Sequence, residues 1–184
     1  MQWLQQLDLT ILNAIHQNLT APFFDAIMPT ISALGNKGYV WIVAAIFLLL
    51  KQKYRLGGLM LSCALVVDVI ACNLILKPLI HRMRPFEFDT TIQLLISKPT
   101  DFSFPSGHTA AAFAAATVIY QIDKKWGIAA FLLAILISFS RLYLYVHFPS
   151  DVVAGIILGV LSGVCGIWIA KLIYKKIAAL KDKV

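Results

Sequence analysis

Three short polar clusters interrupt an otherwise apolar chain, and their side chains are of the kinds that hold and attack an anionic group. The clusters are residues 77–85 (KPLIHRMRP), 104–108 (FPSGH) and 140–151 (SRLYLYVHFPSD). Fixed cations can neutralise a phosphate, an imidazole can attack phosphorus or transfer a proton, and a carboxylate can orient the imidazole. Each cluster lies at the end of an apolar segment, so all three can meet at one membrane face.

Arginine and lysine side chains in the first and third clusters are candidates for binding phosphate. Arg84 and Arg141 each offer a rigid fork of donors that fits pairs of phosphate oxygens. Lys77 adds a compact charge at the outer end of its apolar run. Any one of these cations alone could equally extend towards lipid headgroups. Their occurrence together with the histidine clusters favours a phosphate site.

His147 is the candidate nucleophile. A neutral imidazole can attack phosphorus and form a covalent phosphohistidine, which divides one difficult step into two. Asp151 follows four residues later, so on a helix its carboxylate lies one turn away and can hold the ring in one tautomer. Alone, the two residues could be a capping pair at the interface. The neighbouring Arg141 favours the functional interpretation.

His108 is the candidate general acid for the leaving oxygen. It follows Gly107 in the first turn of a predicted helix. Ser106 can donate its hydroxyl, and a glycine lets backbone N–H groups approach an oxyanion. The alternative is a helix start with an incidental histidine, because Pro-Ser-Gly-His alone is a weak signal.

A metal ion is a second possibility for the same side chains. His108, His147 and Asp151 could ligate a cation. The lysine and the two arginines would repel it and already supply its electrostatic role. We therefore predict chemistry without a metal and without another cofactor.

The remaining polar residues carry weaker signals. His81 and Arg82 are interpreted as loop residues that face headgroups. Asp68 lies inside an apolar run, where an ionisable residue raises a functional question by default. Its depth, roughly 13 Å below the first cluster along a helix, is too great for phosphate chemistry. We expect a buried hydrogen bond instead, to Asn73 or to a neighbouring helix.

The composition is that of an integral membrane protein. The chain has 184 residues, of which 60% are hydrophobic and 14% charged, with a mean hydropathy of +0.81. Soluble domains average about 45–50% apolar and about 25% charged residues. We predict one membrane-embedded domain over residues 1–184. Its first residues lack a basic region and a cleavage site, so we expect no removable signal peptide.

Apolar runs predict the spanning helices of an all-α, polytopic membrane bundle. A span needs about 17–25 mostly apolar residues. Four runs approach or meet this length, and a fifth is short: Leu56–Leu76, Gly107–Ile122, Trp126–Val146, Val152–Ile173 and Gly38–Leu50.

The N-terminal region, residues 1–35, has an uncertain topology, whereas residues 36–184 form the helical core that carries the three clusters. Apolar residues recur at helical spacing up to Ile15, and Ala21-Pro22 breaks the pattern. Phe23–Leu34 is a second helical stretch, interrupted by Pro29. The region is either a first span or an interfacial hairpin, and we predict six transmembrane helices in all.

Basic residues predict the orientation of the bundle. The net charge is +7, and lysines and arginines concentrate at residues 51–55, at 124–125 and in the C-terminal tail from 171 to 183. Short basic loops mark the cytoplasmic side. Residues 77–106 and 140–151 then lie on the outer face, so we expect a multi-pass cell-membrane protein with an extracytoplasmic site. No contiguous basic face with stacking aromatics indicates nucleic-acid binding.

Small residues predict tight helix packing. Gly155, Gly159 and Gly163 are spaced four apart, and the run from Gly107 to Ile122 is rich in alanine. Such spacing lets helices approach closely in lipid.

The combination of clusters resembles the type 2 phosphatidic acid phosphatase superfamily, which includes bacterial undecaprenyl-diphosphate phosphatases and phosphatidylglycerophosphate phosphatases. Its three motifs, Lys-x6-Arg-Pro, Pro-Ser-Gly-His and Ser-Arg-x5-His-x3-Asp, are all intact, and the resemblance covers about residues 56–175. The matching residues are Lys77, Arg84, Pro85, Pro105, Ser106, Gly107, His108, Ser140, Arg141, His147 and Asp151.

The resemblance implies a helical enzyme without a metal requirement. It implies that His147 attacks phosphorus, that Asp151 supports it and that His108 protonates the leaving group. It also implies that the phosphate is held by Lys77, Arg84, Ser106, Gly107 and Arg141.

A site in the outer headgroup plane favours a lipid phosphate as substrate, with membrane lipids as the other partners. Leu94, Leu95 and Ile96, in the loop 86–104, could contact its tail. We expect undecaprenyl diphosphate, with phosphatidylglycerophosphate or phosphatidate as the alternative. A lipid or anion transporter is the non-enzymatic alternative, although a transporter has no need of a paired histidine and aspartate. The oligomeric state stays open.

Overall fold

The chain folds into an all-α bundle, and the computed structural model describes residues 2–181. Met1 and residues 182–184, including Lys183 of the basic tail, lie outside the described residues. Between residues 2 and 181 there are nine α-helices and no strand. They are α1 (Gln2–Leu19), α2 (Pro22–Leu34), α3 (Tyr39–Leu50), α4 (Arg55–Val69), α5 (Lys77–Ile80), α6 (Pro85–Phe88), α7 (Gly107–Ile122), α8 (Lys124–Tyr143) and α9 (Pro149–Lys181).

Helix α7 is the centre of the bundle, with α4, α8 and α9 packed around it. Its alanines are largely buried, and α9 meets them with glycine. A Cβ atom added at Gly159 would lie 2.4 Å from the carbonyl oxygen of Ala110, and one at Gly155 would lie 2.8 Å from that of Ser106. Only glycine allows so close a backbone approach. The predicted small-residue packing is therefore confirmed.

Helix α4 continues through a π-helical segment, Ile70–Leu76, directly into α5. Such segments are rare and frequently occur at functional sites. This one separates the buried Asp68 from Lys77, and Lys77 follows it as the first residue of α5. The predicted apolar run Leu56–Leu76 is thus part of a longer, locally widened helix.

Helices α2 and α3 form a bent pair. Their axes differ by 42° across the turn at Gly35–Gly38. Gly38 has a φ angle of +68° and Lys37 one of +48°, which places two consecutive residues in the left-handed region. Pro22 begins α2, which confirms the predicted break before it. Pro29, in contrast, lies inside α2 and does not interrupt it, so that expectation was wrong.

The number of spans stays a prediction. Among the described residues, three helices are long and apolar enough to cross a membrane, or four if the bent pair counts as one span. Helix α7, with 16 residues, is shorter than those three. Large apolar side chains are exposed along the bundle, among them Val43, Leu132 and Leu161. This is the surface that lipid requires, and it supports the membrane class.

The connection between α8 and α9 is buried. Tyr145, Val146 and Phe148 are at most 1% exposed and pack with Leu12 of α1 and Met28 of α2. The N-terminal helices are therefore part of the bundle end that holds the third polar cluster.

Candidate active site

A cavity of about 640 Å³ lies at the bundle end where the three polar clusters meet. It is lined by six of the eight predicted site residues, which are Lys77, Arg84, Gly107, His108, Arg141 and His147. The other two, Ser106 and Asp151, are fully buried behind the cavity wall. The predicted spatial convergence is thus present in the structure.

Arg84 is held by the short helix that it caps. Its backbone N–H donates to Oε2 of Glu87 over 2.7 Å, and the N–H of Glu87 donates back to the Arg84 carbonyl over 3.0 Å. Its guanidinium Nη1 donates to the carbonyl of Val146 over 2.6 Å and lies 3.3 Å from Nε2 of His147. Arg84 therefore links the first and third clusters directly.

Asp101 binds two of the predicted phosphate-binding cations. Its Oδ1 accepts from Nη2 of Arg84 over 2.8 Å, and its Oδ2 accepts from Nζ of Lys77. The side chain is 55% exposed. Burial by itself would raise the pKa of Asp101, but the hydrogen bond and charge of Lys77, together with Arg84, lower it to about 2. Asp101 is not recognisable from the sequence, since no motif distinguishes a single acid in a loop.

The two ring nitrogens of His147 face different partners. Nδ1 lies 3.5 Å from Oδ2 of Asp151 and 3.5 Å from Oγ of Ser103, whereas Nε2 faces Arg84. A guanidinium N–H can donate only to an unprotonated nitrogen, so this arrangement favours the tautomer with the proton on Nδ1. The Nε2 lone pair then accepts from Arg84, which lines the cavity.

The surroundings of His147 keep its ring neutral. The side chain is 1% exposed, and burial is the main cause that lowers its pKa well below the usual 6.5. The positive charges of Arg84, Arg141 and Lys77 lower it further, against a smaller opposing effect of Asp101. A neutral imidazole is the form that a nucleophile needs.

His108 is fixed by the turn between α2 and α3. Its Nε2 lies 2.9 Å from Oδ1 of Asn36. A Cβ atom added at Gly35 would lie 2.7 Å from Cδ2 of His108, so glycine there makes room for the ring. Neither partner was found from the sequence, because both lie some seventy residues earlier in a region without a motif.

Arg141 is 97% buried at the cavity wall. One Nη1 hydrogen bond goes to the hydroxyl of Ser32 on α2, and Nε has no partner among residues 2–181. A buried guanidinium with unused donor capacity is suited to an incoming anion.

Ser106 and Gly107 join the second cluster to the third. The backbone N–H of Ser106 donates to the carbonyl of Asp151 over 3.1 Å, and its Oγ accepts from Oγ1 of Thr109 over 3.0 Å. A Cβ atom added at Gly107 would make only ordinary contacts, the nearest at 3.6 Å, and would lie 3.9 Å from Nζ of Lys77. Glycine at this position is therefore not required by packing.

Two expectations about polar residues outside the motifs were not met. Arg82 does not face headgroups: Nη1 bonds Asp151 over 2.6 Å and Nη2 bonds Asp8 over 2.7 Å. A buried carboxylate needs a counter-charge, and this loop arginine supplies it to both acids. Asp68 is 3% exposed, and its Oδ1 makes no hydrogen bond to any described residue, Asn73 included. His81 is exposed, as expected, with its ring against Phe102.

The described residues contain no group of three or more His, Cys, Asp or Glu side chains arranged to hold a metal ion. Asp151, one of the three candidate ligands, is instead paired with Arg82. The metal-free chemistry stays a prediction.

Long apolar helices around a cation-lined, imidazole-containing cavity define a helical membrane protein with a phosphate-type anion site. The chain belongs to the PAP2 superfamily, whose family profile matches residues 55–176. This confirms the resemblance inferred from the three motifs.

Three comparisons extend that assignment. An undecaprenyl-diphosphatase of Sulfolobus acidocaldarius is 35% identical over 136 residues, which are 73% of this chain and 65% of that protein. A lipid A 4'-phosphatase of Bacteroides thetaiotaomicron is 30% identical over 97% of this chain and 81% of its own length. The crystal structure of a transmembrane PAP2-type phosphatidylglycerolphosphate phosphatase from Bacillus subtilis superposes with a TM-score of 0.74. The two sequences are 27% identical, and the superposition covers 96% of this chain and 89% of the Bacillus subtilis chain.

The chain thus spans less than two thirds of the Sulfolobus protein. All three proteins are named as phosphatases or diphosphatases, and the substrates in their names differ. They support a phosphoric ester hydrolase of the membrane.

Proposed function

We propose that the protein is an integral membrane lipid phosphatase that releases phosphate from an isoprenoid diphosphate, undecaprenyl diphosphate, through a phosphohistidine. The observation that carries the proposal is the cavity itself. Three cations and Nε2 of His147 face the same space. Such a space can hold a phosphoryl group and present it to a nucleophile.

The proposed reaction uses the two ring nitrogens of His147 differently. The Nε2 lone pair forms a bond to the terminal phosphorus, and the bond from phosphorus to the bridging oxygen breaks. The lipid monophosphate leaves with a proton from His108, while Asp151 stabilises the Nδ1–H side of the ring. Water then attacks the phosphohistidine, gives a proton to His108 and releases inorganic phosphate.

Lys77, Arg84 and Arg141 would neutralise the phosphoryl oxygens in this reaction. Two changes in the site must precede it. The carboxylate of Asp101 has to dissociate from Lys77 and Arg84. The guanidinium of Arg84 has to move away from Nε2 of His147. A phosphate group offers both cations a stronger acceptor than a half-exposed carboxylate, which supports this exchange.

An apolar wall favours a lipid over a soluble ester. Leu94, Leu95 and Ile96 line the cavity together with the cations. Its volume of about 640 Å³ is in the range of about 300–1,000 Å³ that is common for small-molecule sites. It can therefore take a diphosphate and the first part of a tail, with the rest of the chain in the bilayer. Phosphatidylglycerophosphate or phosphatidate is the alternative substrate in the same site.

A substrate panel tests the proposal. The purified protein in detergent is given undecaprenyl diphosphate, phosphatidylglycerophosphate, phosphatidate and a lipid A phosphate, each with a chelator present. We expect the highest kcat/KM for undecaprenyl diphosphate and no effect of the chelator. Loss of activity with chelator, restored by a divalent cation, would contradict the metal-free mechanism. A higher kcat/KM for another lipid would assign that substrate instead.

The nucleophile is tested by His147→Ala, with His81→Asn as the matched control. His81 is an exposed histidine with a φ angle of +51°, a conformation that asparagine tolerates. We expect His147→Ala to lose nearly all activity and His81→Asn to retain it. Radiolabelled substrate should leave a base-stable, acid-labile phosphoryl group on the wild-type chain alone. Full activity of His147→Ala would refute the assignment.

We also propose that the site faces the outside of the cell membrane, because the basic loops lie at the other end of the bundle. Lys98 is exposed in the loop beside the cavity, and Lys124 is exposed at the start of α8. In a chain whose three cysteines are replaced, Lys98→Cys should react with an impermeant thiol reagent added to intact cells. Lys124→Cys should react only after permeabilisation. The reverse pattern would invert the topology.

A further inference from the structure

Arg82 lies between two buried carboxylates. Its Nη1 donates to Oδ1 of Asp151 over 2.6 Å and to Oγ of Ser150 over 2.7 Å, and its Nη2 donates to Oδ2 of Asp8 over 2.7 Å. The guanidinium carbon lies 4.0 Å from the centre of the Phe148 ring. Hydrogen bonds and ring contact together fix the plane of the guanidinium.

Asp151 is held at both of its oxygens. Oδ1 accepts from Arg82, while Oδ2 accepts from the hydroxyl of Ser103 and from the backbone N–H of Phe148 over 2.9 Å. The residue is fully buried, and among residues 2–181 Arg82 is the arginine or lysine paired with it. A buried carboxylate is costly without a counter-charge, and Arg82 supplies that charge to Asp151 beside His147.

Asp8 anchors this arginine from helix α1. It is 2% exposed, and it also accepts from the backbone N–H of Ser150 over 2.9 Å and from the Ser150 hydroxyl. These contacts fall in the first turn of α9, where N–H groups lack helical partners. The N-terminal helix thus binds both Arg82 and the turn that carries Asp151.

We propose that Arg82 and Asp8 are positioning residues, which hold the carboxylate of Asp151 against Nδ1 of His147. This inference rests on the proposed function for the roles of His147 and Asp151. Neither Arg82 nor Asp8 lines the cavity. They act through the orientation of the imidazole, and they leave the phosphate-binding cations unchanged.

The proposal is tested by whether a substitution lowers kcat and leaves substrate and phosphate binding unchanged. Removal of the fork in Arg82→Gln lets Asp151 shift, and a misplacement of about 1 Å can lower a rate about 100-fold. We expect kcat of Arg82→Gln to fall about 10- to 100-fold, while KM and the inhibition constant for inorganic phosphate stay within about twofold. Arg82→Lys, which keeps the charge without the fork, should recover only part of the rate.

Asp8→Asn is the second variant and keeps the size of the side chain. Since Asp8 acts through Arg82, its loss should lower kcat less, and the double variant should be no slower than Arg82→Gln alone. Lys98→Gln and Asp89→Asn are matched controls, because each removes one exposed or half-buried charge from the same end of the bundle. Both should keep wild-type kcat.

The tautomer of His147 gives a readout that needs no turnover. In ¹⁵N-histidine NMR spectra, assigned by means of His147→Gln, the wild-type ring should carry its proton on Nδ1. The fraction of that tautomer should fall in Arg82→Gln. If the wild-type protein hydrolyses no lipid phosphate, the proposed function fails and the tautomer shift still decides the positioning role. Unchanged kcat per folded molecule together with an unchanged His147 spectrum in Arg82→Gln would overturn it.

Discussion

The Nδ1 atom of His147 lies 3.5 Å from Oδ2 of Asp151, while Nε2 of the same ring lies 3.3 Å from Nη1 of Arg84. The imidazole therefore lies between a carboxylate on one side and a guanidinium on the other. This relationship makes the two nitrogens chemically different, and the first prediction depends on it.

Asp151→Asn should keep the fold and lose most of the activity. Asparagine fits the same volume, but it carries no charge to favour the proton on Nδ1. For a comparable change in a hydrolase triad the loss is about 10⁴-fold, and we expect a fall in kcat of about 10²- to 10⁴-fold here. Steady-state phosphate release measures it, with Asp89→Asn as control. A kcat within tenfold of wild type would show that the carboxylate does not direct the ring.

Asp101→Asn should tighten the binding of phosphate. The Asp101 carboxylate occupies Lys77 and Arg84, and the neutral amide competes less well for them. Because each exposed or half-exposed ion pair is weak, we expect the inhibition constant for inorganic phosphate to fall about 2- to 10-fold. Inhibition of turnover at fixed substrate measures it. Weaker phosphate binding would mean that Asp101 orders the two cations for the substrate.

The folded protein should lose stability as the pH falls below about 6.5, partly because of His147. Burial holds its folded-state pKa well below the usual 6.5. Below pH 6.5 the unfolded chain therefore binds a proton on this ring that the folded chain does not. The contribution of His147 to the free energy of unfolding is complete above pH 6.5. It declines by up to about 1.4 kcal/mol per pH unit as the pH falls from there towards the folded-state pKa.

His147→Gln removes this titration. Thermal unfolding in detergent at pH 7.5, 6.5 and 5.5 should thus show a flatter pH dependence for the variant than for the wild type. Parallel pH dependences of the two proteins would show that the His147 ring becomes protonated equally easily in both states.

Gly159→Ala should destabilise the bundle without touching the site. The new methyl group would lie 2.4 Å from the backbone oxygen of Ala110, which cannot move without shifting α7. Overpacking of this kind costs about 1–3 kcal/mol. Unfolding in detergent measures it.

Gly107→Ala is the matched control for this change, because its nearest contact would be an ordinary 3.6 Å. It should leave stability unchanged and raise KM, since the methyl group would lie 3.9 Å from Nζ of Lys77 in the cavity lining. Equal stability of Gly159→Ala and the wild type would contradict the close approach of α7 and α9.

Much of the fold could be predicted because the apolar runs have clear ends. Helix α7 spans Gly107–Ile122 as predicted, since Pro105 and Ser106 precede it and Asp123 caps the helix that follows. Helix α9 begins at Pro149, three residues before the predicted apolar run Val152–Ile173, which places Asp151 in its first turn. Hydropathy alone does not show where a helix begins when its first residues are polar.

The partners of the site residues were less predictable. A short polar loop predicts a headgroup contact for Arg82, and the buried Asp8 gives no local signal in the sequence. Asn36 and Ser32 were missed for the same reason. They reach His108 and Arg141 only because the bent pair α2–α3 packs against the end of the bundle.

By itself the sequence determined which chemistry is available and that it gathers at one end of the molecule. Long apolar runs must alternate in direction, and the residue types within the three clusters set their reactivity. Only the tertiary structure decided which acid neutralises which cation: Asp101 binds Lys77 and Arg84, whereas Asp8 and Asp151 share Arg82. Any of nine acidic side chains could meet the electrostatic need of a buried cation, and the packing of helices distant in sequence selects among them.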